Sequence, residues 1–378
     1  MIRIATIIGA RPQFVKTAVI SRLIRSERYR DEISEHLVHT GQHYDDNMSE
    51  VFFKEMMIPQ PDRNLGIGSG THGQMTGKML GSIEEVLSAE KPDLVMVYGD
   101  TDSTLAGALA ASKLHVPVAH VEAGLRSYNK RMPEEQNRIL TDHLSAYLFC
   151  PTDTAVRNLR REGIHDAPES GAPTSDRPLL ANVGDVMLDA SLFYKRIALD
   201  RPKSSRALAR MGITTPFRLL TLHRAENTDD RDRLAAIFDG LNAVNDMTIV
   251  FPMHPRTQKC IHRYGIHMKP HIRAIEPVGY LDMLELEGSS ELIITDSGGV
   301  QKEAYFFKKP CVTLRGETEW VETVESGWNV LAGSSAKVIV ESLRSRRVPR
   351  EATDLFGSAH AGERIIDRIL SSMSEVHD

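Results

Sequence analysis

Cysteine is scarce in this chain. Cys150, Cys260 and Cys311 are the only three in 378 residues, and they stand far apart. Such spacing provides neither a disulfide framework nor a cluster of zinc ligands, and it suits a reducing compartment. No apolar run approaches the ~18 residues of a membrane span. The short apolar stretch in MIRIATIIGARPQFVK gives way at once to Arg11, Pro12 and Lys16, unlike a secretory signal. Positive charge is not in excess: 46 Lys and Arg stand against 51 Asp and Glu, a net charge of -5. That removes the overall basic footprint of a nucleic-acid-binding chain, although local basic clusters remain able to hold phosphates. Solenoid-like repeats and low-complexity tracts are also missing. These absences point to a cytoplasmic, soluble protein, with neither nucleic acid nor membrane as partner.

What is present is an alternation of short apolar strands and amphipathic helices. RIATII (3–8) reads as a first buried strand, followed by a helix from about Pro12 to Arg25. EHLVHT, LVMVYG, VPVAHV and AYLFCP follow, separated by helical stretches such as TLAGALAASKL. The segment 162–178, EGIHDAPESGAPTSDRP, interrupts the pattern and reads as an inserted loop near a domain boundary. The alternation then resumes with RLLTLH, MTIVFPMH, IRAIEP, ELIITDSGG and KPCVTL, and a last helix runs from about His360 to Met373. Strands alternating with helices predict α/β architecture with parallel sheets covered on both faces. A chain this long exceeds one ordinary core, so two successive α/β domains are expected, with the seam between about 178 and 200.

Open α/β sheets collect ligands at the carboxyl ends of their strands. The first half delivers Arg11 and Lys16 in GARPQFVK, Asp100 and Asp102 in YGDTDST, and Glu122 and Arg126 in HVEAGLR. The second half delivers His223, Arg224, Glu226 and Asn227 in TLHRAEN, and His254 and Arg256 in FPMHPR. Last comes TDSGGVQKE, with Ser297, Gly298, Gly299 and Glu303. A strand ending in Ser-Gly-Gly exposes backbone N–H groups at a helix N-terminus, which suits an anion, and Glu303 lies where it could accept from ribose hydroxyls. The same pattern also fits a capped helix with a surface glutamate. GIGSGTHG (66–73) lacks the preceding buried strand of a dinucleotide fingerprint and reads as a mobile loop.

DTD at 100–102 has the form of a D-x-D metal site, but Asp102 reads better as a helix cap. Asp100 ends an apolar strand, where burial would raise its pKa unless hydrogen bonds compensated, as a proton shuttle requires. Glu122 could pair locally with Arg126, and Glu134 could sit in the first helical turn after Pro133. Singly these are structural readings; together, several carboxylates facing a phosphate site and His223 indicate a catalytic site.

In this order, GARPQFVK, GDTDSTLAGA, HVEAGLRS, MPEEQNR, TLHRAEN, DSGGVQKEA and RGETEW resemble the non-hydrolysing UDP-N-acetylglucosamine 2-epimerases, from the first strand to about Gly333. The resemblance implies a GT-B fold, two Rossmann-like domains with the active site in the interdomain cleft. It gives an N-terminal domain over 1–180, with the C-terminal helix (about 360–378) packed back on it, and a UDP-binding domain over 181–359. It implies a homodimer acting on a UDP-sugar without metal or cofactor. A base removes the C2 proton while UDP leaves C1, and UDP adds back to the glycal with a proton delivered to the other face of C2. The product would serve as a precursor of surface polysaccharide.

By motif match, the resemblance places the catalytic carboxylates at Asp100, Glu122 and Glu134. His223 would assist departure of the diphosphate together with Arg11, Lys16, Arg138 and Arg315. Ser297, Gly298 and Gly299 would hold the phosphates, Glu303 the ribose, and EPVGYLDML the uracil. Gln13 and Trp320 depart from the commoner GTRPE and TERPE forms and resemble the branch acting on UDP-2,3-diacetamido-2,3-dideoxy-glucuronate. Arg126, Lys130 and Arg131 are the cations that could meet its extra carboxylate. In GQHYDD, Gln42 is present but Asp45 stands where a regulatory UDP-sugar site has a second glutamine, which disfavours that activation. A GT-B glycosyltransferase, a hydrolysing epimerase and a non-catalytic nucleotide-sugar sensor are the competing readings.

Overall fold

The computed structural model describes residues 1–41, 56–166, 171–345, 349 and 353–374. The chain forms two compact α/β units, one of Met1–Ala190 with Asp354–Asp378 and one of Ser191–Thr353.

The first unit is built on seven parallel strands. These are β1 (Ile2–Ile8), β2 (Ile33–His39), β3 (Arg63–Asn64), β4 (Leu94–Tyr98), β5 (Val118–Val121), β6 (Tyr147–Cys150) and β7 (Leu179–Asn182). Their order across the sheet is β3-β2-β1-β4-β5-β6-β7. β4 is apolar throughout and buried at every position, as a strand covered by helices on both faces must be. One face packs Ala5, Ile7, Val95 and Val97 against Met79, Ile83 and Leu87 of the helix His72–Glu90. Ala106 and Ala110 of the helix Asp102–Lys113 complete that layer. Each large side chain buried there contributes roughly 1.5–3 kcal/mol.

The last helix, Ala361–Ser374, closes this unit by packing on the helix Arg11–Ile24. The approach is close enough to require glycine: a methyl group at Gly362 would lie 2.7 Å from Leu23 Cδ1 and 2.8 Å from Val19 Cγ1. An Arg28–Asp367 ion pair at 3.0 Å ties the turn after the helix Arg11–Ile24 to the last helix at the surface.

The second unit has six parallel strands: β8 (Phe217–Thr221), β9 (Thr248–Pro252), β10 (Ile272–Ile275), β11 (Leu292–Thr295), β12 (Cys311–Thr313) and β13 (Asn329–Leu331). They are ordered β10-β9-β8-β11-β12-β13. Leu220, Phe251 and Ile294 pack on Leu234, Phe238 and Leu241 of the helix Arg231–Asn242 and on Ile339 and Leu343 of the helix Ala336–Ser345.

Both sheets therefore have the doubly wound order, in which the chain reverses direction across the sheet after its third strand. The reversal falls between β1 and β4 in one unit and between β8 and β11 in the other, the positions where such sheets bind ligands. GARPQFVK, GDTDST, TLHRAEN and DSGG follow these four strands, HVEAGLR follows β5, FPMHPR follows β9 and RGETEW follows β12. Among the described residues, no helix is long and apolar enough to cross a membrane.

Candidate active site

At the carboxyl edge of the first sheet, Glu122 and Asp100 each meet a cation. Gly99 follows β4 with φ +64, a left-handed conformation that favours glycine. A side chain there would also strike the cluster, because an added Cβ would lie 3.0 Å from Lys16 Nζ and 3.3 Å from Glu122 Oε2. Lys16 and Glu122 form a buried ion pair against this glycine. Glu122 itself has φ +76, a strained conformation for a residue with a side chain. The next residue after Gly99, Asp100, is 33% exposed and ion-paired with Arg138, while Asn137 Nδ2 donates to its carbonyl at 3.0 Å. Arg138 is buried and also donates to Glu135 Oε2 at 2.6 Å.

Three sequence readings change here. Glu122 pairs with Lys16 and not with Arg126, whose guanidinium instead binds Asp142 at 2.7 Å and both oxygens of Glu162 at 2.7 and 2.6 Å. With Nη1 also donating to the Leu125 carbonyl, Arg126 is committed to this buried network and is a poor candidate for a substrate carboxylate. Asp102 does not cap its helix: Thr101 is the cap, accepting from Thr104 N at 3.3 Å, and Asp102 is the first helical residue. It accepts from Asn137 at 3.1 Å and pairs with His72 at 2.8 Å. Asp100, lastly, is not shut away at its strand end but keeps a third of its side chain exposed.

Glu134 lies exposed in the first turn of the helix Pro133–Leu144, behind the proline expected there. It sits four residues before Arg138, hence on the same helical face as the group that holds Asp100. The neighbouring Glu135 is buried and accepts from the N–H groups of Ser127 and Tyr128 at 2.9 and 2.8 Å, so it shapes the preceding loop. The Arg11 side chain lies outside the described residues, as do Gln42 and Asp45. GIGSGTHG proves to be divided: Gly66–Gly70 has no regular structure, and Thr71 caps the helix that His72 begins.

The second unit opens a helix at the carboxyl edge of its sheet. Ser297 is the N-cap residue of the helix Gly298–Phe306, whose first N–H groups lack intrahelical acceptors. Added side chains at Gly298 and Gly299 would meet protein atoms only at 3.7 and 3.9 Å, so packing inside the unit does not demand these glycines. Their bareness costs helix stability, about 1 kcal/mol each relative to alanine, and leaves the amides open to close approach. His223, 44% exposed, follows β8.

Asp296, a residue given no role in the sequence reading, fixes this edge. It is fully buried, and its carboxylate accepts from the backbone N–H of His223 at 3.0 Å and of Arg224 at 2.9 Å, and from Asn227 Nδ2 at 3.3 Å. His254 lies 6.2 Å from His223 ring to ring; burial, then the neighbouring His223 and Arg256, lowers its pKa. Arg315 is buried and held by both oxygens of Glu319 at 3.0 and 3.1 Å. Burial disfavours its charge, but Glu319 outweighs burial and raises its pKa. Lys302 sits 4.0 Å over the ring of Trp320.

Glu303 is buried and accepts from the Tyr280 hydroxyl at 2.9 Å. Glu287, wholly buried, faces the same carboxylate. Burial first, and the charge of Glu303 second, push the Glu287 carboxyl well above the usual carboxylate range. This buried pair of carboxyl groups, Glu287 beside Glu303, is an arrangement no local spacing in the sequence reveals.

The family profile described as UDP-N-acetylglucosamine 2-epimerase matches residues 26–370. The UDP-2,3-diacetamido-2,3-dideoxy-D-glucuronate 2-epimerase of Pseudomonas aeruginosa is 52% identical over 371 residues, covering 97% of this chain and 98% of that one. The UDP-N-acetylglucosamine 2-epimerase of Methanocaldococcus jannaschii is 45% identical, covering 98% and 99%. A crystal structure of the M. jannaschii enzyme in complex with UDP-GlcNAc and UDP has a TM-score of 0.86 at 44% identity, covering 98% and 99%. That of the Neisseria meningitidis enzyme bound to UDP-GlcNAc has a TM-score of 0.85 at 29% identity, covering 98% and 100%.

Proposed function

Because this chain belongs to the UDP-N-acetylglucosamine 2-epimerase family, a family of isomerases with a GT-B-like α/β fold, we propose that it inverts C2 of a UDP-2-acetamido sugar without hydrolysing it. The observation that carries this reading is the paired cluster at the edge of the first sheet, with Glu122 on Lys16 and Asp100 on Arg138. The C2 proton is weakly acidic, so its removal needs a placed carboxylate and simultaneous stabilisation of the leaving group. Asp100, Glu122 and Glu134 serve as the proton-transfer groups. A cation beside an acid fixes where its carboxylate points, and Lys16 and Arg138 are the cations assigned to the developing negative charge of the departing UDP.

The second unit holds the nucleotide. Ser297, Gly298 and Gly299 offer N–H groups to the diphosphate, with His223, Arg11 and Arg315 adding positive charge or hydrogen bonds. Glu303, flanked by Tyr280 and Glu287, accepts from the ribose hydroxyls. UDP leaves C1 as C2 loses its proton, and returns to C1 as a proton arrives on the opposite face of C2. Atoms balance without metal or cofactor. The protein would act in the cytoplasm as a homodimer.

Two substrates fit this class. UDP-N-acetylglucosamine is favoured by the complexes of the related structures. The diacetamido uronate is favoured by the 52% identity with the P. aeruginosa enzyme and by Trp320 in the late loop. With Arg126 committed elsewhere, Lys130 and Arg131 are the remaining cations of the loop after β5 for its carboxylate; both are exposed. The test is Asp100→Asn. It should abolish exchange of the C2 hydrogen with solvent while UDP binding, measured by calorimetry, stays intact; undiminished exchange would remove Asp100 from the mechanism.

A further inference from the structure

His120 stands apart from the acid cluster, yet it touches the backbone that carries it. The ring is wholly buried in β5, two residues before Glu122. Its Nε2 lies 2.7 Å from the Gly99 carbonyl oxygen, and its Nδ1 lies 2.6 Å from Asp142 Oδ1. A carbonyl oxygen and an ionised carboxylate can only accept, so both ring nitrogens donate and the ring carries two hydrogens. The other oxygen of Asp142 accepts from Gly124 N at 3.1 Å and Arg126 Nη1 at 2.7 Å. Burial opposes ionisation of Asp142, but His120 and Arg126 together outweigh it and hold its carboxyl below the usual range.

Asp142 lies one turn beyond Arg138 on the helix Pro133–Leu144. That helix therefore grips the end of β4 three times. Arg138 binds the Asp100 carboxylate, Asn137 the Asp100 carbonyl, and Asp142, through His120, the Gly99 carbonyl. A buried ion pair gives little net stability over an apolar pair of the same volume. What this one supplies is a fixed hydrogen-bond direction at the peptide immediately before Asp100.

Resting on the reading of Asp100 as a proton-transfer group, we propose that His120 is a positioning residue. Donating from both ring nitrogens and backed by Asp142, it holds the Gly99 carbonyl and so sets where Asp100 presents its carboxylate. The prediction concerns turnover and not nucleotide affinity, since none of His120, Asp142 and Gly99 is assigned to UDP.

The experiment uses His120→Gln, Asp142→Asn and the double variant in the full-length protein. It reads kcat and KM for C2 epimerisation of whichever of the two UDP-sugars the wild-type enzyme turns over, with UDP affinity as the control. His120→Gln can still donate to Gly99 but turns a carbonyl toward the Asp142 carboxylate. Asp142→Asn leaves an amide that cannot accept from His120, Gly124 and Arg126 all at once. In the double variant the new amide at position 142 can donate to the one at position 120, which can donate to Gly99, and the buried His120–Asp142 pair is gone.

Each single substitution should lower kcat about 100-fold, the effect of a misplacement of order 1 Å, with KM and UDP affinity unchanged. The double variant should recover about 10-fold over the worse single, as coupled neighbours do. A folded His120→Gln protein with wild-type kcat would overturn the proposal. If neither single variant folds, the double variant decides: a folded protein still reduced about 100-fold would overturn it. Absence of exchange in the wild-type enzyme would strike the underlying reading of Asp100, and the proposal with it.

Discussion

The side-chain amide of Gln13 donates to the Tyr98 carbonyl at 2.9 Å, while its oxygen accepts from the N–H groups of Gly9 and Ala10 at 2.8 and 2.9 Å. The same amide donates to Thr104 Oγ1 at 2.9 Å. One fully buried side chain thus joins the loops after β1 and β4, the two strands flanking the reversal of the first sheet. A glutamate here would set a carboxylate oxygen against the Tyr98 carbonyl. Gln13→Glu is expected to destabilise the protein by about 1–3 kcal/mol at neutral pH, the cost of an unsatisfied buried group. The deficit should shrink in acid, where a protonated carboxyl can donate. Thermal unfolding across pH checks both parts.

Lys16 and Glu122 are each buried, so removing one leaves the charge of the other poorly compensated. Lys16→Met is expected to cost about 3–5 kcal/mol in denaturant unfolding. Combining it with Glu122→Gln should return a good part of that loss, although neither protein should turn over substrate. Equal stability of the single and double variants would mean that the pair is not coupled.

Glu287 gives a pH signature. Its folded pKa is raised above the unfolded value of roughly 4.3, by burial and then by Glu303. The folded state therefore holds a proton that the unfolded state releases. The stabilisation this gives is full below the unfolded pKa and is lost as pH rises toward the folded pKa. Glu287→Gln, which needs no proton, should match the wild type near pH ~4 and become progressively more stable than it toward pH ~8. Parallel thermal midpoints at all pH values would show that Glu287 is ionised in the folded protein.

Lys130 and Arg131 are the exposed cations of the loop in which Arg126 is already bound to Asp142 and Glu162. Replacing both by alanine is expected to raise KM for the diacetamido uronate about tenfold, the loss of one charge-assisted hydrogen bond. KM for UDP-N-acetylglucosamine should stay the same. Arg126→Met should instead lower stability without changing the ratio between the two substrates.

The sequence disclosed most of the fold because parallel strands covered on both faces must be apolar along their length. LVMVYG and ELIITDSGG each contain such a strand, β4 and β11. The strands it hid are short or poorly patterned. β3 is two exposed residues, Arg63 and Asn64; β13 is three residues; and β7 follows directly on the polar segment 162–178. Local geometry was legible where one motif carries both a residue and its reason, as Ser297-Gly298-Gly299 at a helix start does. It was not legible where partners are remote in sequence. Lys16 lies 106 residues from Glu122, and Asp296 lies 73 from His223. Local spacing offered Arg126 to Glu122 and a capping role to Asp102; the fold gives Arg126 to Asp142 and Glu162, and Asp102 to His72 and Asn137.

The most direct measurement is proton NMR of the purified protein in D2O, without added metal, with UDP-N-acetylglucosamine and with UDP-2,3-diacetamido-2,3-dideoxy-glucuronate in separate tubes. Epimerisation through loss of the C2 proton should erase the C2 proton signal of one of them as its manno isomer appears, with the UDP linkage intact at equilibrium. A C2 signal that persists in both tubes, or release of free sugar in place of the isomer, would contradict the proposed reaction.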